Sequence, residues 1–474
     1  MSFGDLKISE KLVPKNYMSL GVAAQRSKQR AFKELLEERK WPEHGWPDEH
    51  IEELVHQVAG LDSNNFGHNV GMGEREARIA CKLVARRHYN FGHGIGRSGD
   101  LLEAQPKAAG STLLANLTNS LLQQLIQMLG IRSCRCCFLV PVATGMTLTL
   151  CFQSLRKSRP LAKYVLWSRI DQKSCFKAIT AAGLQPIIIA GTLLPEEKAL
   201  ITNVAAFEQQ LAQLDPAQIL CLYTTTSCFA PRNSDDIVAI AKLAANAGVP
   251  HVINNAYGLQ CSKLTHQLEQ AQRVGRVDYF VQSTDKNLMV PVGGAIVASF
   301  DEQSLQQVAS TYAGRASSSQ TLDVFMTLLS LGRDGYLRLV SERKQNFLYL
   351  RERLQEFAAT HGERVPDTKM NGISLALTLE TLSAIGITSL GAMLHTRGVS
   401  GVRVVPMGVN KSIDGYEFAN FGAHHEDYKQ PYLTVAAALG VTRPEIDKFF
   451  TVLDRCWTEY KKMKATSLDL SSTK

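Results

Sequence analysis

One lysine stands where covalent chemistry would be expected. Lys286 follows the apolar run that begins at Phe280 and precedes the glycine pair Gly293-Gly294. A lysine amine at the mouth of a sheet is partly desolvated, and it can form a Schiff base or act as a base. Because an unperturbed lysine has a pKa of about 10.4, its surroundings must lower that value for either role. This stretch alone leaves open that Lys286 is a surface lysine on a turn.

Two other predicted strand ends carry polar groups that would suit a phosphorylated ligand. The turn Ala143-Thr144-Gly145 follows one strand and begins a helix, so its N–H groups and the helix dipole could hold a phosphate. Asn254 closes a later strand. Taken alone, the turn is also an ordinary strand-to-helix connection. A phosphate turn, a polar strand end and a lysine in this order are what the aspartate aminotransferase fold of pyridoxal-phosphate enzymes requires.

A second anion site is predicted in the glycine-rich loop Gly92–Asp100. Glycines let the backbone approach an anion closely, while Arg97 and Ser98 add a planar guanidinium and a hydroxyl. The spacing is not that of a Walker A loop. A flexible loop is the alternative, and it is weakened by nearby arginines, namely Arg75, Arg78, Arg86 and Arg87. Two phosphate sites suggest a phosphorylated cofactor and a phosphorylated substrate, with Arg315 as a further arginine in a small-residue setting.

The elements that must position these groups alternate between short β-branched runs and helical stretches from about 130 to 310. This alternation predicts a parallel sheet with helices on both faces, and ligands bind such sheets at the carboxyl ends of the strands. The predicted strands are Cys137–Val142, Tyr164–Trp167, Pro186–Ile189, Ile219–Thr224 and His251–Ile253.

The two ends of the chain read as helical. Residues 24–40 carry an apolar stripe, which favours docking on another subunit. Their basic face of Arg26, Arg30 and Lys33 could also contact nucleic acid, although Glu37 and Glu38 interrupt it. After about 316 we expect helices over 321–360 and a smaller α+β unit with strands at Ile373–Leu379 and Gly401–Pro406. The last helix begins with the capping-box pair Thr442 and Glu445. It ends in lysines that are either a solvated helix end or a nucleic-acid contact.

Composition narrows the class of protein. The 474 residues carry a net charge of +8, which suits an anionic partner such as phosphate or nucleic acid. No apolar run is long enough to span a bilayer and no signal peptide is recognised, so a soluble cytoplasmic protein is expected. Cys134 and Cys137 form one C-x-x-C without a second pair, so we predict buried thiols and no metal site.

Several long strings closely resemble the archaeal and eukaryotic O-phosphoseryl-tRNA(Sec) selenium transferase family over nearly the whole chain. They are Asp62-Ser-Asn-Asn-Phe66, Gly73-Glu-Arg-Glu76, His93-Gly-Ile-Gly-Arg-Ser-Gly-Asp100, Gln105-Pro-Lys-Ala-Ala-Gly110, Arg169-Ile-Asp-Gln-Lys-Ser-Cys-Phe176 and Asp285-Lys-Asn287. The resemblance implies an α/β fold of pyridoxal-phosphate fold type I, which is aspartate aminotransferase-like. It also implies a tetramerising helical extension at 1–44, a catalytic domain at 45–315 and a C-terminal α+β domain with tRNA contacts at 316–474.

The resemblance also implies roles for individual residues. Lys286 would hold pyridoxal 5'-phosphate covalently, and the cofactor pocket would be lined by Arg75, Ala143, Thr144, Gly145 and Asn254. The loop 96–106 would bind the substrate phosphate through Arg97, Ser98 and Gln105, joined by Arg315. Glu74 would repel free phosphoserine, whose carboxylate the tRNA ester lacks; its pairing with Arg78 one turn on is the alternative. The tRNA contacts would be Arg273, Arg397 and Lys462.

The implied reaction converts O-phosphoseryl-tRNA(Sec) to selenocysteinyl-tRNA(Sec) by phosphate elimination and selenium addition, with selenophosphate as donor. The enzyme would be a homotetramer with active sites formed between subunits, and neither DNA nor membrane is an expected partner. Asn254 stands where many enzymes of this fold keep an aspartate, so the cofactor ring should be a weaker electron sink here. The alternatives are a pyridoxal-phosphate lyase acting on a free amino acid and a tRNA-binding relative without catalysis.

Overall fold

A computed structural model describes residues 12–472, with side chains described up to residue 464. The first eleven residues of the predicted helical extension and the last two of the C-terminal domain lie outside the described residues. Two compact units are present. The first comprises the chain up to Leu125 together with Ala313–Leu337, and the second comprises Ile126–Tyr312 and the chain from Arg338. The predicted division at residues 44 and 315 stays a prediction.

The structure contains fourteen α-helices and fourteen strands within the described range. The helices are α1 (Lys15–Glu38), α2 (Asp48–Ala59), α3 (Lys82–Arg87), α4 (Ala109–Met128), α5 (Thr144–Ser158), α6 (Lys173–Ala181), α7 (Val204–Gln213), α8 (Ile237–Ala247), α9 (Ser262–Val274), α10 (Thr284–Leu288), α11 (Glu302–Ala309), α12 (Ser319–His361), α13 (Thr388–Thr396) and α14 (Arg443–Ser472). The strands are β1 (Cys136–Val140), β2 (Tyr164–Ser168), β3 (Gln185–Ile189), β4 (Thr192–Leu194), β5 (Ala199–Ile201), β6 (Ile219–Thr225), β7 (His251–Asn254), β8 (Tyr279–Ser283), β9 (Ala295–Ser299), β10 (Ser374–Thr378), β11 (Arg403–Val405), β12 (Lys411–Ile413), β13 (Tyr416–Phe418) and β14 (Tyr432–Ala436).

A seven-stranded sheet organises the second unit in the order β1-β9-β8-β7-β6-β2-β3. All five strands predicted from the sequence are present. Strands β3, β2, β6, β7 and β8 are parallel, whereas β9 runs antiparallel to both β8 and β1. The prediction of a parallel sheet therefore holds except at β9. Only residues 284–294 join β8 to β9, and a parallel crossover needs about a dozen residues or more.

A smaller α+β region follows in the same unit, as predicted. Strands β10, β14 and β11 form an antiparallel sheet. One face of α14 packs into a buried cluster there, and it includes Phe450, Leu453 and Trp457. The predicted capping box is also present, because the N–H of Thr442 donates to Glu445 Oε2 at 2.8 Å. The hydroxyl of Thr442, which donates to the same oxygen at 2.7 Å, lowers the pKa of Glu445, and the N–H contact adds to this effect.

The first unit is mainly helical and is held together by a close backbone approach. Trp41 is fully buried, and its Nε1 donates to the carbonyl of Leu328 at 2.8 Å. A break in α12 at Gly332, with φ of 61°, lets the chain near residue 44 pass against that helix. A Cβ on Gly332 would lie 2.4 Å from the carbonyl carbon of His44, so only glycine fits.

Helix α1 differs from the prediction in its length and in its basic face. It begins at Lys15, and Phe32 and Leu35 are its buried residues. The predicted basic face is largely neutralised, because Arg30 pairs with Glu34 at 2.9 Å, Lys33 lies 3.7 Å from Glu37, and Lys28 pairs with Glu53 of α2. These carboxylate partners, two of them at i, i+4 spacing, reduce the positive field that a nucleic acid would meet.

The cysteines agree with the prediction of buried thiols in most cases. Eight of the ten are buried, Cys136 is half-buried and Cys81 is exposed. In the part of the chain that is described, no helix combines the length and the apolar character needed to cross a bilayer.

Candidate active site

Lys286 lies on the short helix α10, immediately after the carboxyl end of β8. Its Nζ donates to Ser283 Oγ at 3.2 Å and lies 3.6 Å from Asp285 Oδ2, and the side chain is 45% exposed. The N–H and hydroxyl of Thr284 both bond to the carbonyl of Gly294, which closes the segment 284–294 into a tight loop. The amine is therefore presented at the sheet edge by a fixed backbone, as the sequence predicted.

The start of α5 leaves the sheet at the same edge as Lys286. Val140, at the end of β1, pairs with Ala295, and Ala295 also pairs with Ser283 at the end of β8. Ala143 precedes the helix and supplies no side-chain cap. The hydroxyl of Thr144 is buried and has no hydrogen-bond partner among the described residues. First-turn N–H groups and an unpartnered hydroxyl together fit a phosphate group.

Gly145 keeps this turn close to the next βα unit. A Cβ at Gly145 would lie 3.3 Å from Cβ of Ser174 in α6, so a larger residue would crowd the start of both helices. Ala143, Thr144 and Gly145 are therefore brought together with Lys286 at one sheet edge, as the resemblance implied.

Asn254 ends β7 and is buried. Its Nδ2 donates to Cys175 Sγ at 3.1 Å, and its Oδ1 accepts from the N–H of Ala256 at 3.1 Å. Cys175 was not predicted as a site residue, because its place beside Asn254 depends on how α6 packs. Burial raises the pKa of the Cys175 thiol, so the sulfur remains protonated. We name Lys286, Thr144, Asn254 and their neighbours at this edge the lysine site.

The glycine-rich loop of the first unit is built by unusual backbone conformations. Ile95 and Ala316 exchange backbone hydrogen bonds of 2.8 and 3.0 Å, and Arg97 does the same with Asp100 at 2.8 and 2.9 Å. A Cβ at Gly94 would lie 2.3 Å from the carbonyl oxygen of Ala316. Ser98 adopts a φ of 44°, which strains a residue other than glycine. Such strain is typical of functional loops.

This loop borders a cavity of about 340 Å³, which we name the anion cavity. Its lining comprises Arg75, Ile79, His88, Phe91, Gly92, His93, Gly94, Arg315, Ala316, Ser317 and Ser318. Burial and the proximity of Arg75 lower the pKa of Arg315, and Arg315 Nε is buried without a partner in the described chain. Neither arginine pairs with any described carboxylate. Two unpaired guanidinium groups converging on one cavity predict a bound anion.

The other predicted phosphate residues lie outside that lining. Arg97 is 3.3 Å from Glu103, and both side chains are 48% exposed. Gln105 uses its Oε1 to accept from the N–H of Lys107 at 3.3 Å. The structure therefore brings Arg315 together with Arg75, while Arg97, Ser98 and Gln105 stay on the adjoining loop.

The segment that contains Glu74 and Arg78 is not helical, and this excludes one of the two roles predicted for Glu74. Arg78 donates to the carbonyl of Gly71 at 2.6 Å, so the alternative of a one-turn pair between Glu74 and Arg78 is not what the structure contains. Glu74 is exposed. The half-buried acid here is Glu76, whose pKa is lowered by the hydrogen bond from Lys107 at 2.6 Å.

The three residues predicted to contact tRNA belong to the second unit and lie far apart in the sequence. Arg273 is exposed in the last turn of α9. Arg397 follows α13, pairs with Glu459 and donates to the carbonyl of Met393 at 3.1 Å. Lys462 is exposed on α14. The charge of Arg397 is thus already balanced within its own unit.

Comparisons with known proteins give one consistent result. A model of the family O-phosphoseryl-tRNA(Sec) selenium transferase, SepSecS, matches residues 61–458. The chain is 43% identical to the O-phosphoseryl-tRNA(Sec) selenium transferase of Dictyostelium discoideum, with 97% of this chain and all of that one covered. It is 34% identical to the enzyme of that name from Methanopyrus kandleri, with 94% and 98% covered.

Solved structures agree. The crystal structure of an archaeal O-phosphoseryl-tRNA(Sec) selenium transferase matches with a TM-score of 0.86 at 30% identity, over 95% of this chain and 99% of that one. A NifS-like protein, 11% identical over 84% of this chain and 98% of its own, shares the fold with a TM-score of 0.55. The predicted fold class, pyridoxal-phosphate fold type I, and the predicted enzyme class are confirmed. The chain belongs to the O-phosphoseryl-tRNA(Sec) selenium transferase family.

Proposed function

We propose that this enzyme converts O-phosphoseryl-tRNA(Sec) to selenocysteinyl-tRNA(Sec) in the cytoplasm, using pyridoxal phosphate and selenophosphate. The observation that carries the proposal is the lysine site. A half-exposed lysine amine and an uncapped helix start with an unpartnered hydroxyl share one sheet edge in a chain of this family. The anion cavity, with two arginines that pair with no described carboxylate, supports a phosphorylated substrate.

The lysine site fits pyridoxal phosphate. Lys286 would hold the cofactor covalently, the start of α5 with Thr144 would bind its phosphate, and Asn254 would face its ring, with Arg75 as a further contact. When bound, the cofactor supplies an electron sink for the α-carbon of the substrate. Asn254 already uses its Nδ2 on Cys175 and its Oδ1 on Ala256. A neutral amide so engaged stabilises a protonated ring nitrogen less than an aspartate would.

Residues of this chain would carry the remaining steps. The Lys286 amine takes the α-proton and holds it at Nζ, which lies 3.6 Å from Asp285 Oδ2. Arg75 and Arg315 stabilise the phosphate as it leaves the β-carbon. Arg97, Ser98 and Gln105, on the adjoining loop, would complete its binding. Selenophosphate then adds its selenium to the same carbon, and water cleaves the Se–P bond so that a second phosphate is released.

Glu74 would select the tRNA-linked substrate. Free phosphoserine carries an α-carboxylate, and the ester bound to tRNA does not. An exposed glutamate beside Arg75 would repel the first and spare the second. Exchanging Glu74 for glutamine should therefore admit free phosphoserine, and its binding is measured by competition with the tRNA substrate.

Contacts to tRNA would be made by Arg273, Arg397 and Lys462. Arg273 is the simplest to test because it is exposed. The reversal Arg273→Glu should weaken tRNA(Sec) binding about 10-fold and reduce its salt dependence. Affinity for tRNA that is unchanged at two salt concentrations would remove Arg273 from the interface.

A homotetramer would cover the exposed part of α1. Tyr17 and Leu20 on its first half are 72% and 81% exposed, although both are large apolar side chains. Oligomeric partners commonly cover such residues. Leu20→Glu should lower the mass measured by light scattering from tetramer to a smaller species, and Arg30→Gln on the same helix is the matched control. A tetramer that survives Leu20→Glu would contradict this role of α1.

The visible absorption spectrum of the cofactor-loaded enzyme tests the function. We expect a band that changes on addition of phosphoseryl-tRNA(Sec) and not on addition of free phosphoserine. An equal response to free phosphoserine would favour a lyase acting on the free amino acid. A protein that forms no band with pyridoxal phosphate would be a non-catalytic tRNA-binding relative.

A further inference from the structure

His93 is a buried histidine with one nitrogen engaged and the other without a partner. It is 2% exposed, and its Nε2 lies 3.2 Å from Ser63 Oγ. Its Nδ1 is buried and makes no hydrogen bond to any described residue. A buried ring nitrogen that is left unpaired costs free energy, so a partner from outside the chain would stabilise this arrangement.

The place of His93 indicates what that partner is. His93 lines the anion cavity together with Arg75 and Arg315, and Arg315 Nε is also buried without a partner among the described residues. A guanidinium Nε–H can only donate. One ligand that satisfies both nitrogens must therefore offer acceptor atoms, and the two arginines require that it be an anion. A phosphoryl group meets both conditions.

Burial favours a neutral imidazole at His93. Burial lowers the pKa of His93, and Arg315 and Lys107 lower it further, whereas Asp62 and Glu76 raise it. The carboxylate of Asp62 is engaged elsewhere, because it accepts from the N–H and the hydroxyl of Ser111 at 2.9 and 2.6 Å. In a neutral ring one nitrogen carries the proton. If Ser63 donates its hydroxyl proton to Nε2, the proton of the ring resides on Nδ1.

We infer that His93 is a phosphate-binding residue of the anion cavity, with its Nδ1–H donating to a phosphoryl oxygen that Arg75 and Arg315 also bind. Ser63 is the positioning residue that sets this tautomer. The inference rests on the proposed function, because it assigns a further ligand to the substrate phosphate of the same reaction.

Two isosteric variants of His93 distinguish the roles of its two ring nitrogens. In His93→Asn the amide nitrogen takes roughly the place of Nδ1, and in His93→Gln it takes roughly the place of Nε2. Inorganic phosphate is titrated into the full-length enzyme by calorimetry. We expect His93→Gln to weaken phosphate binding about 10-fold or more, since a hydrogen bond to a charged group is lost. His93→Asn should stay within about 3-fold of wild type.

His50, a half-buried histidine of α2 that does not line the anion cavity, offers a matched control. His50→Gln should leave phosphate affinity nearly unchanged. Thermal unfolding of each variant, compared with wild type, checks that the fold is retained. A crystal structure of the wild-type enzyme with phosphate gives a second measurement that depends on no variant. There Nδ1 should lie within about 3.2 Å of a phosphoryl oxygen.

The outcomes are distinguishable. If wild type binds phosphate, and Arg315→Gln weakens binding while His93→Gln does not, the inference about His93 is overturned and the proposed function stands. A phosphate seen on the arginines but not on Nδ1 has the same meaning. If wild type binds no phosphate in this cavity, the cavity's place in the proposed function fails, and the inference fails with it.

Discussion

The lysine site and the anion cavity are built in opposite ways. The lysine site uses the ends of regular strands, so Lys286, Asn254 and Thr144 take their places from sheet register. The anion cavity uses irregular backbone, because Gly94 in its lining and Ser98 on the adjoining loop both have positive φ. A group at a strand end is positioned by the core of the protein. A group on a strained loop is positioned by local backbone contacts and by the ligand that it binds.

The largest expected effect is the loss of turnover when the lysine of the lysine site is replaced. Lys286→Ala should lower turnover of phosphoseryl-tRNA(Sec) about 10³-fold or more, because the nucleophile and base are lost together. Its visible band should vanish as well. Lys157→Ala is the matched lysine control, since Lys157 is exposed and its amine donates to the carbonyl of Ser310 at 3.4 Å. Turnover that persists in Lys286→Ala would disprove the assignment.

A second prediction concerns how the stability of the second unit, which contains the lysine site, depends on pH. His424 is fully buried, its Nδ1 accepts from the N–H of Asp171 at 2.8 Å, and burial lowers its pKa to about 3. The unfolded state therefore binds a proton below about pH 6.5 that the folded state binds only near pH 3. Stability is fully present above pH 6.5 and falls as the pH drops, by on the order of 3 kcal/mol between pH 7 and pH 4.

Chemical unfolding across this pH range measures that loss. His424→Gln should make stability depend less on pH, although the variant is less stable than wild type at pH 7. His425→Gln is the control, since His425 is half-buried and lies next to it in the chain. An equal slope in wild type and His424→Gln would show that other groups cause the acid sensitivity.

A third prediction changes the anion cavity while leaving the lysine site intact. Arg315→Gln should lower kcat/KM about 100-fold, because one preorganised charge on the departing phosphate is lost. The cofactor band should remain, since no residue of the lysine site is altered. Arg30→Gln, on an 82% exposed arginine, serves as the control. Loss of the band in Arg315→Gln would break the separation between the two regions.

The smallest effect concerns a single contact in the lysine site. Cys175→Ala removes the acceptor of the Asn254 Nδ2 hydrogen bond, so the free energy of unfolding should fall by about 1 kcal/mol. The cofactor band should shift slightly as the amide reorients. Cys151→Ala, also a buried thiol, is the matched control: its stability should fall while its band stays unchanged.

The same contrast explains what the sequence could predict. Strand ends are visible in the alternation of apolar runs, so Lys286, Asn254 and the turn at Thr144 are predictable from the sequence alone. The antiparallel direction of β9 was not predicted, although the short connection 284–294 was an available signal. The acidic partners of Arg30 and Lys33 were likewise readable from i, i+4 spacing.

Other features were beyond sequence reasoning for a physical reason. Cys175 on α6 meets Asn254 at the end of β7 through the tertiary fold, and no local pattern encodes that contact. The orientation of His93 depends on Ser63, which is thirty residues away in the chain. Arg75 and Arg315 meet through the folding of the first unit, and their sequence separation gives no hint of it.

The loop that Thr284 and Gly294 close has a consequence for motion. The peptide carrying Lys286 is tied at both ends, to β8 and to β9, and again by the two bonds from Thr284 to the Gly294 carbonyl. The main chain there has little freedom to follow a substrate. Any travel of the amine must come from rotation about the four-carbon side chain. Those rotations occur within nanoseconds, so repositioning the lysine need not limit turnover.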